Sequence, residues 1–186
     1  LGNENNFGTS ATSQYAKYVL AAADATLTAP EGYTVTTTVE NSLVKYVDGA
    51  YKVVPAVAKI GDVCYETLAD AVEAATEDNN VITLLRDADG SGVVINKNVT
   101  IDFSNYTYTF TEGVGSTGTE SNGFQILAGN NVTLKNGGLN VAESAKENFY
   151  ILVQNYADLT IEDMNLDGTN LDKYSGTDGD SYVLSN

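Results

Sequence analysis

The chain contains no histidine and no tryptophan, and its 186 residues include only one cysteine, one methionine, one arginine and two prolines. Each scarcity removes a kind of chemistry. Without histidine, the usual zinc ligand sets and the Ser–His or Cys–His nucleophile pairs are not available. A single thiol, Cys64, excludes an internal disulfide framework. Its setting in VCY, ahead of a helical stretch, reads as a small buried hydrophobe, with a reactive thiol as the alternative. Arg86 and the lysines make only 9 basic residues against 25 acidic ones, a net charge of −16. Phosphate backbones and anionic lipid surfaces are repelled by such a chain, so neither nucleic acid nor a membrane is an expected partner. The scattered carboxylates read first as a solvated, non-aggregating surface and second as an attraction for Ca2+. No apolar run is long enough to span a bilayer, and no charged leader precedes an apolar segment. That pattern leaves a mature fragment or a cytosolic protein.

What is present is organised by repetition. Hydrophobic residues make up 42% of the chain, enough for a proper core. Between Phe124 and Gly168 two segments, FQILAGNNVTLKNGGLNV and FYILVQNYADLTIEDMNLDG, follow one pattern. Phe124 and Ile126 recur as Phe149 and Ile151, while Val132, Leu134 and Leu139 recur as Leu159, Ile161 and Leu166. Val99 and Ile101 anticipate Val132 and Leu134, with EGVGSTGTESNG between them as a loop. Each copy holds short alternating runs broken by Asn, Gly or Asp, and an alternating run buries one face only. Copies stacked on one another would enclose a continuous apolar core, so the expected fold is mainly β, a parallel β-helix.

The ends of the chain extend the pattern. Tyr18, Val19 and Leu20 match Tyr182, Val183 and Leu184 at an offset of 164 residues. YVLAAADATL also aligns without a gap on QILAGNNVTL, placing Ala25 on Val132 and Leu27 on Leu134. These eight residues are therefore the expected assembly positions. Between them and the β-helix, Asp48-Gly49 separates two alternating runs and signals a hairpin in a small antiparallel meander. The expected division is a terminal coil and meander over 1–54, equivalent to the end of a preceding repeat, and a β-helix module over 55–186 that is open at its C-terminal rim. A short helix near 67–76, with Thr67 as its N-cap and Leu68, Ala71, Val72 and Ala75 on one face, caps the other end.

The stretch AVAKIGDVCYETLADAVEAATEDNNVITLLRD, with its I-G-D, Y-x-T-L-x-x-A-V-x-A-A and I-T-L-L strings, resembles the opening of pectin-lyase-like, right-handed β-helix repeat modules in large surface proteins of gut bacteria. The resemblance covers residues 58 to about 186. It implies an extracellular, adhesin-like setting at the bacterial cell surface. It also raises the possibility of a polysaccharide lyase or glycosidase, because related folds carry those activities.

The residues do not favour catalysis. A lyase of this kind needs Arg or Lys beside clustered carboxylates and a glycosidase needs a carboxylate pair on one face, but no such pair recurs at coil spacing. DMNLDG supplies Asp163, Asn165 and Asp167 in the spacing of the first half of an EF-hand-type loop, but its twelfth position is Tyr174 rather than Glu. Asp87 and Asp89, and Asp178 and Asp180, read as turn residues with Ca2+ as the alternative. Tyr106, Tyr108 and Tyr156, with Tyr150 and Tyr174, are the candidate sugar-stacking rings.

The expected function is structural: an interaction repeat of an elongated extracellular protein, an adhesin stalk or fibre. It stacks head-to-tail on adjacent repeats or identical subunits. A carbohydrate-binding module for host or bacterial glycans is the alternative, and an enzyme acting on acidic polysaccharide comes third. No cofactor is expected, with Ca2+ the one candidate ion.

Overall fold

The computed structural model describes residues 18–20, 28–29, 31–36, 50–116, 119–172 and 180–186. Its contacts divide the chain into two units, Leu1–Ala56 and Val57–Asn186. In the first, β1 (Tyr18–Leu20) and β2 (Tyr33–Thr36) both pair antiparallel with β3 (Ala50–Pro55), which lies between them. Tyr18–Leu20 is therefore the edge of an antiparallel sheet and not a β-helix coil. The hairpin expected at Asp48-Gly49 and the assembly positions Ala25 and Leu27 lie outside the described residues.

The second unit opens with a hairpin of β4 (Ala58–Ile60) and β5 (Val63–Tyr65). Its turn is Gly61-Asp62, where Gly61 takes φ +55, a conformation that costs glycine little. The helix α1 (Leu68–Ala74) follows. Thr67 Oγ1 accepts the Asp70 N–H at 3.0 Å, and Leu68, Ala71, Val72 and Ala75 are buried. The last turn of α1 carries no basic residue of its own. Lys97 supplies the charge from a distant strand connection, its Nζ donating to the Glu73 and Ala75 carbonyls at 2.5 and 3.1 Å.

The remaining strands are β6 (Val81–Leu84), β7 (Ala88–Ser91), β8 (Val93–Ile95), β9 (Val99–Asp102), β10 (Thr107–Glu112), β11 (Val114–Ser116), β12 (Thr119–Ile126) and β13 (Asn131–Val141). A 3-10 helix at Glu143–Asn148 then leads to β14 (Ile151–Asn155), β15 (Asp158–Leu166) and β16 (Tyr182–Ser185).

These strands form two mixed sheets, which overturns the expected right-handed parallel β-helix. The eight-stranded sheet runs β5-β4-β6-β9-β13-β10-β7, with β15 on the other side of β13. In it β4 is antiparallel to both β5 and β6, while β6, β9, β13 and β15 are parallel neighbours. The five-stranded sheet runs β11-β12-β14-β16 with β8 beside β12, and β11–β12 is antiparallel. The architecture is thus a curled mixed sheet facing a second mixed sheet, not a solenoid of parallel rungs. The physical reason is that alternation reports only which face is buried, and it does so equally for parallel and antiparallel neighbours. The stretch read as a loop, EGVGSTGTESNG, contributes β11 and the start of β12.

Curling has a local cause. Asn136 and Asp163 adopt φ 60 and 49 within their strands, left-handed values tolerated best by short polar side chains. They are opposite one another, since Lys135 pairs with Glu162 and Gly137 with Met164. Each turns its strand through a corner, so that the first half of β13 lies along β9 and the second half along β10. The preceding layer turns at Ser104 and Asn105, with φ 51 and 67.

The enclosed core is built from Ile82, Ile95, Ile101, Phe103, Phe110, Phe124, Ile126, Leu134 and Phe149, all fully buried. Each such side chain contributes roughly 1.5–3 kcal/mol of burial. Phe110 sits at the centre of the aromatic group, edge-on to Tyr108 and Phe124 with centroids 5.2 and 5.1 Å away.

Candidate interaction rim

The inward rows of both sheets run out to uncovered strands at one end of the second unit. On β13, Val132, Leu134 and Leu139 are buried, and directly beside them on β15 stand Leu159, Ile161 and Leu166. The sequence repeat therefore lies in register here. Leu134 is 0% exposed and its partner Ile161 is 36% exposed. In the other sheet Val153 of β14 is 0% exposed and its partner Leu184 of β16 is 41% exposed, with Tyr182 beside it at 46%. Among the described residues β15 pairs only with β13, and β16 only with β14.

The two edges are stepped. β14 and β15 follow one another through Tyr156-Ala157 and stand one strand beyond β12 and β13. β16 stands one strand further, beyond β14, and no described strand occupies the matching place beside β15. The free edge of β15 thus ends in a notch, one strand short of the edge made by β16 in the other sheet, and its inward row there is Leu159, Ile161, Met164 and Leu166. Asn155 holds the step: its Nδ2 donates to Asn186 Oδ1 at 2.6 Å and to the Ala157 carbonyl, while its Oδ1 accepts the Ala157 N–H.

Other equivalences shift. Phe124 and Ile126 pair with Val153 and Asn155, 29 residues on, rather than with Phe149 and Ile151 at 25. Gln125 pairs with Gln154 and Gln154 with Ser185. The gap-free match of Tyr18 on Gln125 thus points to Ser185, three residues past the Tyr182 named by the 164-residue offset, so the two comparisons do not mark the same position. Tyr182, Val183 and Leu184 belong to the rim. Tyr18, Val19 and Leu20 belong to the other unit.

The outward face of the curled sheet carries a charged column that runs Thr83, Asp102, Lys135, Glu162 across β6, β9, β13 and β15. Lys135 Nζ lies 3.6 Å from Asp102 Oδ2. Asp102 Oδ1 also accepts the Ser104 N–H at 2.9 Å and the Asn136 amide at 3.1 Å. Partial burial pushes the carboxyl up, but the Ser104 and Asn136 hydrogen bonds and Lys135 together outweigh it and hold Asp102 below its ordinary 3.8. The stability linked to Asp102 is therefore present above pH 3.8 and lost as pH falls through the lower folded value. In Asp102→Asn, thermal melting between pH 6 and 2 should show a shallower acid loss than wild type. Equal slopes would remove Asp102 from the acid transition. Neither Lys135 nor Glu162 stood out in the sequence, although they share the 27-residue spacing of Leu134 and Ile161.

Among the described residues no three His, Cys, Asp or Glu side chains are grouped to hold a metal ion. Asp163 occupies the corner of β15. Asp167 Oδ1 accepts from the Thr169 hydroxyl and N–H at 2.6 and 2.9 Å, which lowers its pKa. Asp87 Oδ1 accepts the Thr107 N–H at 2.8 Å, Asp89 lies on β7, and Asp180 accepts from the Tyr182 hydroxyl. Asp178 lies outside the described residues, as does Tyr174.

The candidate stacking rings are split. Tyr106 and Tyr156 are 37% and 56% exposed, but Tyr108 is 2% exposed with its hydroxyl donating to the Ser91 carbonyl. Burial, aided by the Asp89 charge, pushes Tyr108 up to about 12. Among the described residues no helix is long and apolar enough to cross a membrane. No protein-family model, no curated protein and no solved structure matches the chain.

Proposed function

We propose that this chain is a structural and interaction module of an elongated extracellular bacterial surface protein, joined through its rim to a neighbouring module. One observation carries this reading. The apolar core is covered by α1 at one end, while at the other its inward rows continue onto β15 and β16 and end half-exposed at Ile161, Tyr182 and Leu184. An uncovered edge with an apolar face is a template for another strand, and soluble proteins keep such edges short or covered. The resemblance of residues 58 to about 186, carried by the stretch 56–87, to repeats of gut-bacterial surface proteins supports the setting, as does the strongly acidic composition.

The double variant Ile161→Asp/Leu184→Asp tests the reading. Both side chains are already part-exposed, so the isolated chain should stay folded, its melting temperature lowered by no more than about 10 °C. Expressed in place of wild type in the producing cells, it should still reach the surface. Its chemical cross-linking into high-mass species there should fall at least about tenfold, the effect of roughly 1.4 kcal/mol lost at a joint. Unchanged cross-linking, or a chain found only inside the cell, would overturn the proposal.

A further inference from the structure

We infer that the notch beside β15 receives a parallel strand of defined chemistry from the neighbouring module: apolar residues opposite Leu159 and Ile161, lysine or arginine opposite Glu162, and asparagine, aspartate or glycine opposite Asp163. The inference rests on the proposed role of the rim and states what the neighbour must present there. Each position follows from a column of the curled sheet.

The apolar requirement continues two buried rows. Val99, Val132 and Leu159 form one, and Ile82, Ile101, Leu134 and Ile161 form the other. Only the β15 members of these rows are left partly in water, and the next strand completes the burial. The charge requirement continues the alternation in the column beside them. Asp102, Lys135 and Glu162 follow one another as minus, plus, minus, and the Asp102–Lys135 pair is closed at 3.6 Å. A cation in the next place pairs with Glu162, as opposite charges facing across strands stabilise and like charges destabilise.

The corner requirement follows from Asn136 and Asp163, whose left-handed backbones stand side by side. A partner must turn at the same place to stay paired on both sides of the corner, and only short polar residues or glycine do so at low cost. Parallel direction keeps the apolar pair, the cation and the corner in the order that β13 already uses against β15.

A second copy of this chain does not supply such a strand. Of its nine basic residues, only Lys135 is preceded one and three residues earlier by apolar side chains larger than alanine, and Val132–Asn136 is already inside the sheet. Pairing one β15 with another, parallel and in register, would set Asp158, Glu162 and Asp163 against their own kind. The occupant is therefore a strand of different sequence in the neighbouring module.

A peptide with the sequence of Asn131–Val141, NVTLKNGGLNV, carries the required pattern and serves as the probe. Added to the full chain, it should slow amide exchange along β15 and bind measurably by fluorescence anisotropy. The same peptide with K135E should bind about fivefold more weakly, since a facing attraction becomes a repulsion. Glu162 is exposed, so the E162K chain should stay folded and melt within a few degrees of wild type although the new ammonium faces Lys135, and its preference between the two peptides should reverse. Equal binding of both peptides would overturn the charge pattern while leaving the rim a receptor for strands. Protection of β15 by neither peptide would overturn the inference and the proposed role of the rim together. Self-association of the chain through β15, seen by sedimentation, would identify a second copy as the occupant and overturn the assignment to a neighbouring module.

Discussion

Phe110→Ala should destabilise the Val57–Asn186 unit by about 3–5 kcal/mol, the range for removing a buried phenyl ring. Phe110 is fully buried, edge-on to Tyr108 and Phe124 and 6.3 Å from the Phe149 ring. It belongs to β10 of the curled sheet, while Phe124 belongs to β12 of the other, so its loss opens a cavity where the two sheets meet. The edge-to-face pairs add about 0.5–1.5 kcal/mol each beyond area burial. Thermal melting followed by circular dichroism should show a fall of roughly 10 °C or more for a unit of this size. A fall under about 2 °C would show that the aromatic group does not join the two sheets.

Phe110 also explains a glycine. A Cβ on Gly123 would lie 2.6 Å from the Phe110 ring and 2.6 Å from the Leu152 carbonyl oxygen. Ring and glycine are thus a matched pair, and the double variant Phe110→Ala/Gly123→Ala should be less destabilised than the sum of the single variants.

Part of this arrangement was legible in the sequence, for a reason that can be stated residue by residue. The register of β13 on β15 shows in Val132, Leu134 and Leu139 facing Leu159, Ile161 and Leu166, because three aligned apolar positions on one buried face leave no other parity. The helix α1 shows through its apolar spacing and Thr67. Strand direction does not show, since β4, β5 and β11 alternate or punctuate their chain just as parallel strands do, and the same pattern predicts a parallel β-helix where two mixed sheets stand. Phe149 misled by identity: it is buried like Phe124, but it follows the 3-10 helix, and the strand position opposite Phe124 is Val153. The charged column was hidden for a different reason. Asp102, Lys135 and Glu162 become neighbours only once the register is known, and a single charge per strand has no period of its own.

Gly137→Ala should cost about 3 kcal/mol, the upper end of what overpacking a closed site does. Its Cβ would sit 2.3 Å from Phe103 Cβ and 2.5 Å from the Tyr106 carbonyl oxygen. Neither atom is the free end of a flexible side chain. The Phe103 N–H donates to the Lys135 carbonyl at 2.8 Å and the Gly138 N–H to the Tyr106 carbonyl at 3.0 Å, so the turn between β9 and β10 is tied to β13 on both sides of the intrusion. Relief requires stretching those bonds or moving Phe103, which is fully buried. Gly129→Ala is the contrast. Nothing lies within 4 Å of its Cβ position, and the cost is confined to an alanine held at φ +84, about 1 kcal/mol. Because Gly137 pairs with Met164, the shift passes to β15, and hydrogen exchange along Asp158–Leu166 should quicken in Gly137→Ala and stay unchanged in Gly129→Ala. Equal melting temperatures for the two variants would show that Phe103 and the Tyr106 turn yield freely. The corner that shapes the floor of the notch would then be set by Asn136 and Asp163 alone.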